Sequence, residues 1–561
     1  MSKTTGAKYF AQMIQGYGIT HVFYVPQIAS RAMAELEMLD LPVKRVVVHS
    51  EKAAAYMADG YARAKGGPAL CMSQPIGASN LASGLRDAYL AGVPVLAVSG
   101  GPVSASRYRH AYQEVEDFNQ FDAVTKLNMA VDEPGRLPDL LRQAFRTATT
   151  GKPGPVHLRF QGRHGEIPLG DLDAELRVEA QFTRIPAFRP APDAESVTAA
   201  VQLLKDAMRP VIIAGGGVHA SQARDELVAL AEQLRIPVAT TPNGKGIIAD
   251  AHPLSLGVVG TYSRACVNQA VAEADLVFFV GTPAGGLATA NWRIPAPGTR
   301  VIQLDIEATE LGRNYPNEVS IAGDARTALR LMLAAAPTEV PSTRADWINR
   351  IDSLVSDWRA SAKPMLDSDA KPIRPERICR EISDNLPENG VLVSDTGHAG
   401  MWTSTLVELR HPGQRYIRCS GSLGWGFPGA LGVKCALPDQ PVLLFTGDGG
   451  MHYHLSELET ALRHNINLVV LVNNNSAYNQ EIASVERMYG GQGKGRSEEL
   501  YRFSNFNFAE VARAMGCEGI RVEDPGEIKG ALTRAFAMNK PVVIDVVSDL
   551  RAFAKTAWVP A

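Results

Sequence analysis

The chain has 561 residues, 45% hydrophobic residues and a formal net charge of −3, values that are typical of a globular protein with several domains. This charge excludes the basic footprint of a protein that binds nucleic acid or anionic membranes. The six cysteines are scattered without a CxxC pair or a zinc-like spacing, and no apolar run is long enough to span a membrane. We therefore expect a cytoplasmic protein with reduced thiols, and neither nucleic acid nor membrane as a partner.

The first block, residues 1–165, alternates helical patterns with short apolar strands. Glu51 follows one such strand, residues 45–48, and precedes an alanine-rich helical pattern. Taken alone, a carboxylate at this position is typical of a helix N-terminal cap. A charged stretch with several prolines, at about 165–195, predicts a linker to the next block.

The second block, residues 196–335, again alternates apolar strands with helical patterns. Its Gly215-Gly-Gly217 run follows an apolar strand but lacks the GxGxxG spacing, so it is only weak support for a nucleotide site. A polar stretch, residues 337–375, predicts a second linker with one helical patch near Trp347.

The third block, residues 376–549, places polar motifs at the ends of two apolar strands. One strand ends in Gly-Asp-Gly-Gly, with its carboxylate at Asp448, and the next strand ends in three asparagines, the last of which is Asn475. Adjacent parallel strands would bring both side chains to one edge of a sheet, where α/β proteins bind ligands. A glycine-rich turn with hard oxygen ligands suits a phosphate group and Mg²⁺.

The alternation of strands and helices in all three blocks predicts an α/β fold with three doubly wound parallel-sheet domains. With these motifs in this order, nearly the whole chain resembles the thiamine-diphosphate-dependent enzymes of the acetolactate synthase / pyruvate decarboxylase superfamily. The resemblance implies a pyrimidine-binding first domain, a central domain and a diphosphate-binding third domain. It also implies thiamine diphosphate and Mg²⁺ as cofactors.

The resemblance assigns roles to residues of the third domain. Asp448, the Asn475 side chain and the Ala477 carbonyl would hold Mg²⁺. Six further residues would contact the cofactor through the main chain or by packing, namely Gly397, His398, Ala399, Gly449, Gly450 and Tyr478. Gly421 would offer its carbonyl to the aminopyrimidine, and Leu423 would wedge between the two cofactor rings to hold them bent.

In the first domain, Glu51 matches the glutamate that protonates or hydrogen-bonds N1′ of the cofactor's aminopyrimidine. Gln113 matches a residue that touches the substrate, and His110 is a candidate proton shuttle, although loop histidines are more often structural. Because the groups on the two domains come from different subunits in this superfamily, the resemblance implies a homodimer or homotetramer with shared active sites.

The chain also departs from acetolactate synthases. Residues 280–286, Val-Gly-Thr-Pro-Ala-Gly-Gly, stand where those enzymes carry an arginine-containing phrase that contacts FAD, so FAD is not expected. The sequence leaves three activities open: an acetolactate synthase-like carboligase or lyase on a 2-keto acid, a simple 2-keto acid decarboxylase, and a 2-hydroxyacyl-CoA lyase or oxalyl-CoA decarboxylase-like enzyme. A non-catalytic thiamine-diphosphate-binding protein is disfavoured, because Glu51 and both metal ligands are present.

Overall fold

A computed structural model of the protein describes residues 3–116, 118–337 and 344–560. It contains three six-stranded sheets, one in each block of the chain, and every neighbouring pair of strands within them is parallel. Helices cover the sheets on both faces, so the predicted α/β fold class is confirmed. We call the units around these sheets the N-terminal, central and C-terminal domains.

The N-terminal domain has the strand order β3-β2-β4-β5-β7-β6, and a separate antiparallel pair, β1 and β8, closes one side. Its strands are β1 Lys3–Thr5, β2 His21–Tyr24, β3 Lys44–Val47, β4 Ala69–Ser73, β5 Val95–Gly101, β6 Asn128–Val131, β7 Val156–Gln161 and β8 Asp171–Asp173. Its helices are α1 Gly6–Gly16, α2 Ser30–Met38, α3 Glu51–Lys65, α4 Ala78–Ala91 and α5 Leu137–Thr149.

The central domain has the strand order β11-β10-β9-β12-β13-β14, the arrangement of dinucleotide-binding sheets. Its strands are β9 Pro210–Ala214, β10 Val238–Thr240, β11 Ser255–Val258, β12 Leu276–Val280, β13 Arg300–Asp305 and β14 Val319–Ala322. Its helices are α6 Ala194–Asp206, α7 Gly216–Ala220, α8 Arg224–Leu234, α9 Ala265–Glu273 and α10 Ala325–Ala335, and α11 Arg344–Leu366 follows them.

The C-terminal domain has the strand order β16-β15-β17-β18-β20-β19, which repeats the N-terminal arrangement when strands are counted from the first of each sheet. Its strands are β15 Val391–Ser394, β16 Arg415–Arg418, β17 Val442–Gly447, β18 Val469–Asn474, β19 Glu518–Val522 and β20 Val542–Val547. Its helices are α12 Pro375–Asn385, α13 His398–Leu406, α14 Gly426–Ala436, α15 Asp448–His452, α16 Glu457–Arg463, α17 Ile482–Met488, α18 Phe508–Ala514 and α19 Ile528–Ala537.

The N-terminal and C-terminal domains pack together through α3 and α14, the equivalent helices of the two repeats. Glycines make this approach possible: a Cβ on Gly60 would lie 2.1 Å from the Gly429 carbonyl oxygen, and one on Gly432 would lie 1.9 Å from that of Met57. Apolar side chains of both domains form one continuous core around this contact. The helix pair therefore fixes the two domains relative to each other within a single chain.

The structure corrects the sequence interpretation of two connecting segments. The stretch at 165–195 is not a plain linker, because β8 within it pairs with β1. The second linker carries a 23-residue helix, α11, which buries Trp347 against the central domain. No helix in the described part of the chain is both long and apolar enough to cross a membrane.

Candidate functional site

A cavity of about 260 Å³ lies at the carboxyl ends of β17 and β18. The two strands are adjacent and parallel, with Gly447 paired to Asn473, as the sequence predicted. Ten of the residues proposed from the sequence line this cavity: Gly397, His398, Ala399, Leu423, Asp448, Gly449, Gly450, Asn475, Ala477 and Tyr478. The fold therefore brings together residues that are far apart along the chain.

Asp448 is the main charged group of the cavity and is 3% exposed. Its Oδ1 accepts a hydrogen bond from the Gly449 amide at 2.8 Å, and its Oδ2 accepts from the amides of Asn475 and Ala477, each at 3.1 Å. Burial raises the pKa of Asp448 to about 6, and these backbone hydrogen bonds oppose the rise. The carboxylate is thus held in one orientation before any ligand arrives.

The three asparagines at the end of β18 divide between two roles. Asn473 and Asn475 line the cavity, and the side-chain oxygen of each is buried without a hydrogen-bond partner. Asn474 instead donates to Asp545 Oδ1 at 2.9 Å and to the Phe506 carbonyl. A buried oxygen without a donor is costly unless a ligand satisfies it, so Asn475 fits a cation ligand.

A hard cation suits this donor set. Among the described residues, no group of three or more His, Cys, Asp and Glu side chains is placed to hold a metal. The cavity instead places the carboxylate of Asp448 beside the neutral oxygen of Asn475. Such a set leaves coordination positions for phosphate oxygens and water, which is how Mg²⁺ binds in many cofactor sites.

Two helices begin at the floor of the cavity and direct their N-terminal amides toward it. The first is α13, which starts after Gly397, a residue whose φ of 66° and ψ of −143° favour glycine. The second is α15, which starts at Asp448. A Cβ on Gly450 would lie 2.5 Å from Asp395 Oδ2, so glycine is required there. Converging helix N-termini favour an anionic group such as a diphosphate.

Asp395 is a second buried carboxylate of the cavity that the sequence interpretation did not single out. It accepts hydrogen bonds from the Thr396 amide at 2.8 Å and from Thr446 Oγ1 at 3.1 Å. Burial raises its pKa to about 6. Asp395 lies directly under Gly426 and Gly450, so it forms part of the cavity floor as well as lining the space for a ligand.

His398 and Tyr478 form the wall opposite. His398 Nδ1 lies 2.8 Å from Asn479 Oδ1, and desolvation lowers the pKa of this imidazole, which keeps it neutral near pH 7. The Tyr478 ring packs against Gly449, where a Cβ would lie 2.3 Å from the ring, and meets Phe503 edge to face. Both residues are therefore fixed by neighbours within the C-terminal domain.

The segment between β16 and α14 carries the two remaining C-terminal candidates. Leu423 lines the cavity, whereas Gly421 does not. Gly421 has φ of 151° and open space where a Cβ would be, so its backbone conformation favours glycine. Backbone amides of this segment donate hydrogen bonds to a side chain of the N-terminal domain.

That partner is Asp87, a fully buried carboxylate on α4 that the sequence interpretation missed. Its oxygens accept from the amides of Ser420 at 2.7 Å and Ser422 at 3.1 Å, the two residues that flank Gly421. Arg63 bridges Asp87 to a second buried carboxylate, Asp59, with nitrogen–oxygen distances of 2.9 and 2.8 Å. The N-terminal domain thus holds the cavity segment of its own chain.

The buried ion-paired group of Asp59, Arg63 and Asp87 also contacts the start of α14. Trp425, which is fully buried, donates from Nε1 to Asp59 Oδ2 at 2.8 Å. The spacing of Asp59 and Arg63 on one helix is a visible sign of an ion pair. The contact of Asp59 with Trp425, about 360 positions later, depends on the packing of α3 against α14. No local pattern in the sequence predicts this packing.

Glu51 lies at a different sheet edge, at the first residue of α3 in the N-terminal domain. Its carboxylate accepts from Asn80 Nδ2 at 3.2 Å and packs against Gly77, where a Cβ would lie 2.3 Å from Oε1. It does not line the C-terminal cavity of its own chain, whose described lining comes from the C-terminal domain and Tyr262. The structure therefore keeps the two halves of the sequence-predicted site apart within one chain.

Gln113 and His110 lie on a loop of the N-terminal domain near this edge. Gln113 Nε2 donates to Gln74 Oε1 at 3.1 Å, and the Gln113 oxygen is buried without a partner. Both Gln113 and His110 have positive φ angles, 64° and 54°, as does Tyr108 at 63°. Three non-glycine residues in the left-handed region of one loop are unusual, and such strain is found at ligand-binding segments.

The chain matches three family models, all in the expected order. Residues 4–121 match the thiamine pyrophosphate enzyme N-terminal TPP binding domain, residues 197–332 the central domain, and residues 395–546 the C-terminal TPP binding domain. The chain belongs to the thiamine pyrophosphate enzyme family. It is accordingly an enzyme of the thiamine-diphosphate-dependent, carboligase type.

Curated relatives within this family span nearly the full chain. The probable acetolactate synthase large subunit of Methanocaldococcus jannaschii is 33% identical over 97% of this chain and 92% of that protein. The acetolactate synthase large subunit of Haemophilus influenzae is 28% identical, with 98% and 95% covered. The acetolactate synthase isozyme 1 large subunit of Escherichia coli is 28% identical, with 97% and 94% covered.

Proposed function

We propose that this enzyme uses thiamine diphosphate and Mg²⁺ to make or cleave a carbon–carbon bond next to a carbonyl, with a 2-keto acid as donor. The observation that carries the proposal is the C-terminal cavity, in which the Asp448 carboxylate and the unpartnered Asn475 oxygen meet above two helix N-termini. Membership of a family that includes acetolactate synthase large subunits supports the reaction class.

In this proposal the C-terminal cavity holds the cofactor's diphosphate and metal. Asp448, Asn475 and the Ala477 carbonyl bind Mg²⁺, and the amides that line the floor bind phosphate oxygens. Thiamine diphosphate, when bound, supplies a carbon nucleophile that adds to a carbonyl, and a ring that accepts the electron pair released by cleavage of the adjoining bond. Leu423, which lines the cavity, would pack against the cofactor rings, and the Gly421 carbonyl would accept a hydrogen bond from the pyrimidine amine.

Glu51 exchanges a proton with N1′ of the cofactor's pyrimidine ring, and Gln113 contacts the substrate. Since Glu51 lies outside the cavity of its own chain, we infer that it completes the cavity of a second subunit. Exposed apolar side chains at both edges support such an assembly: Ile76, Tyr108 and Tyr112 in the N-terminal domain, and Met488 and Leu500 in the C-terminal domain. The functional unit would be a homodimer, or a homotetramer of two such dimers.

A second candidate, a 2-hydroxyacyl-CoA lyase, is favoured by a cleft in the central domain. A cavity of about 200 Å³ lies at the carboxyl ends of β9, β12 and β13, beside Gly216 and Gly217. Asp305, at the end of β13, lines it and suits a ribose hydroxyl, as acidic residues do in dinucleotide sheets. The cleft could hold the nucleotide end of CoA.

We do not propose FAD as a ligand of this protein. Pro283 lines the central cleft in the segment where the FAD-binding phrase of acetolactate synthases carries its arginine. The charged groups that line the cleft are Asp305, Glu310, Asp324 and Lys152, and Lys152 already pairs with Glu310 at 3.6 Å. Three carboxylates against one paired cation do not favour any diphosphate in this cleft, so the CoA candidate rests on the Asp305–ribose contact alone, and FAD lacks the arginine that would compensate the charge.

The reaction class is tested by incubating the full-length protein, loaded with thiamine diphosphate and Mg²⁺, with a panel of 2-keto acids, aldehydes and 2-hydroxyacyl-CoA esters. Mass spectrometry of the products separates the candidates. A 2-hydroxy-3-keto acid indicates carboligation, and an aldehyde with carbon dioxide from a 2-keto acid indicates simple decarboxylation. Cleavage of a 2-hydroxyacyl-CoA ester to an aldehyde and formyl-CoA, with the thioester kept, indicates the lyase. Turnover that is equal without the cofactor would overturn the proposal.

A further inference from the structure

A second large cavity, of about 480 Å³, lies where the three domains meet; it shares no lining residue with the C-terminal cavity, which we call the cofactor cavity from here on. It is bounded by the end of α3, the start of α8 and strand β16. Its described lining contains no Asp or Glu but includes five strongly basic side chains: Arg63, Lys65, Arg224, Arg415 and Arg418. All three domains contribute to this set. We call it the basic cavity.

Arg63 is the one basic residue of the basic cavity whose charge is compensated, because it pairs with Asp59 and Asp87. The other four donate to neutral groups. Lys65 donates to the Gly18 carbonyl and Arg224 to the Pro412 carbonyl. Arg415 donates to the Ala64 carbonyl at 3.1 Å, and Arg418 lies 3.4 Å from the Asn243 side-chain oxygen. Four cations therefore share the basic cavity, and no carboxylate of the residues that the structure describes forms an ion pair with any of them.

Desolvation makes this arrangement costly. It lowers the pKa of Lys65 to about 8 and also lowers the pKa of Arg224 and of Arg415, while Asp225 acts on Arg224 in the opposite sense. Arg418 is 3% exposed, and its Nε is buried without a hydrogen-bond partner. Like charges in a partly desolvated space repel one another, so an empty basic cavity stores unfavourable electrostatic energy.

Helix capping explains part of the arrangement but not all of it. Arg415 donates to the last carbonyls of α3, where a cation is favoured by the helix dipole. This contact uses one side of the guanidinium. It gives no reason for Arg418 to leave a buried nitrogen unpartnered, or for Arg224 of another domain to face the same space.

We propose that the basic cavity is a binding site for a small polyanion that carries phosphate or carboxylate groups. Arginine guanidinium groups bind such oxyanions with paired hydrogen bonds, and the side chains here approach from different directions. Because Lys65, Arg224 and Arg415 belong to the N-terminal, central and C-terminal domains, one anion would link all three domains. The ligand should therefore stabilise the folded chain as well as bind to it.

The test uses the full-length protein loaded with thiamine diphosphate and Mg²⁺, so that the cofactor cavity is already occupied. Inorganic phosphate and malonate are titrated separately by calorimetry, and the midpoint of thermal unfolding is followed at each concentration. We expect one saturable site per chain and a rise in Tm with either anion. Tighter binding of phosphate assigns the site to phosphorylated ligands, and tighter binding of malonate assigns it to dicarboxylates.

The variants Arg224→Gln and Arg415→Gln should each weaken anion binding by about 10- to 100-fold, the value of a charge-assisted hydrogen bond. Arg224→Lys keeps the charge and should retain most of the affinity. Arg534→Gln, on the exposed face of α19, is the matched control and should change nothing. Without added anion, Arg224→Gln should unfold at or above the wild-type temperature, because repulsion among the basic side chains is relieved.

Three results would overturn the proposal: no saturable binding of either anion, unchanged affinity in both glutamine variants, or an equal loss in Arg534→Gln. Binding that competes with thiamine diphosphate would also overturn it, since the anion would then occupy the cofactor cavity. If Arg415→Gln does not fold, Arg224→Gln decides, because Arg224 lies at the partly exposed start of α8.

Discussion

The N-terminal and C-terminal domains share one strand order but present different chemistry at their sheet edges. In the C-terminal domain the two central strands, β17 and β18, end in Asp448 and Asn475, which are buried and held by backbone hydrogen bonds. In the N-terminal domain the equivalent strands end without a carboxylate, and the acid is Glu51, placed after the edge strand β3. The topology supplies an edge, and the residues at that edge decide its function.

The comparison extends to the segments that follow the equivalent edge strands, β3 and β16. In the N-terminal domain that segment leads to Glu51, and in the C-terminal domain it contains Gly421 and Leu423. The helices that follow, α3 and α14, pack against each other in one chain. In the proposed function this repeated fold supplies two unlike half-sites, one that would bind an anion and a metal, and one that would carry a proton.

The largest effect should come from removing Asp448, the proposed metal ligand of the C-terminal half. Asp448→Ala should lower the affinity for Mg²⁺ and thiamine diphosphate by more than about 100-fold, because even groups outside a metal's direct ligands change its affinity about 10- to 100-fold. Calorimetric titration of the cofactor-free protein measures this directly. Asp139→Ala, at an exposed ion pair on α5, is the control. Unchanged affinity in Asp448→Ala would remove the metal from this cavity.

Glu51→Gln should spare cofactor binding and slow the chemistry, the opposite of Asp448→Ala. The amide fills the same space and still hydrogen-bonds, but it cannot supply a proton. Exchange of the cofactor's C2 proton, followed by NMR on quenched samples, should slow by about 10²- to 10⁴-fold. Wild-type exchange in this variant would show that the N-terminal half does not carry the proton.

Asp87→Asn should have an intermediate effect, since Asp87 positions the cavity segment and touches no ligand. Losing one acceptor oxygen for Ser420 or Ser422 loosens the backbone around Gly421, and small misplacements of a reacting group can cost about 100-fold in rate. We expect kcat to fall and the thiamine diphosphate affinity to stay within about threefold, given that the diphosphate contacts are untouched. Equal losses in kcat and in cofactor affinity would indicate general damage instead, and Asp139→Asn serves as the control.

The smallest effect concerns pH. Burial raises the pKa of Asp448 to about 6, so its carboxyl group is protonated below pH 6 and must lose that proton to bind a metal. Mg²⁺ affinity should therefore rise about tenfold per pH unit up to pH 6 and level off above it. Asp395 titrates in the same range, so Asp448→Asn, which cannot titrate, is the necessary control and should show a weaker dependence. A flat profile in the wild-type protein contradicts the assignment.

The sequence predicted the half of the site that depends on local patterns. Apolar strands that end in Asp448 and in three asparagines are visible without a structure, and their adjacency follows from parallel pairing. Asp87 could not be recognised, because the Ser420 and Ser422 amides that it holds lie more than 330 positions away and its helix has no unusual pattern. The basic cavity was also invisible, since Arg63, Arg224 and Arg415 meet only when three domains pack together.

Two secondary-structure elements, α11 and β8, also depend on contacts that local sequence patterns do not show. The helix α11 was expected only as a patch near Trp347, since its sequence is polar and its amphipathic face is recognised by what it packs on. The strand β8 has three residues, too few to give a period, and it forms only because β1 offers a free edge.

The central claim is that the Glu51 edge of one subunit completes the Asp448 cavity of another. Co-expression of Glu51→Gln and Asp448→Ala chains, with different affinity tags, allows the heterodimer to be purified and its subunit content checked by mass spectrometry. Each single variant should be inactive, whereas the heterodimer contains one site with both lesions and one with neither. We expect it to recover about half of the wild-type activity, as twofold symmetry requires. An inactive heterodimer of confirmed composition would contradict the claim and place both groups of one site within a single chain.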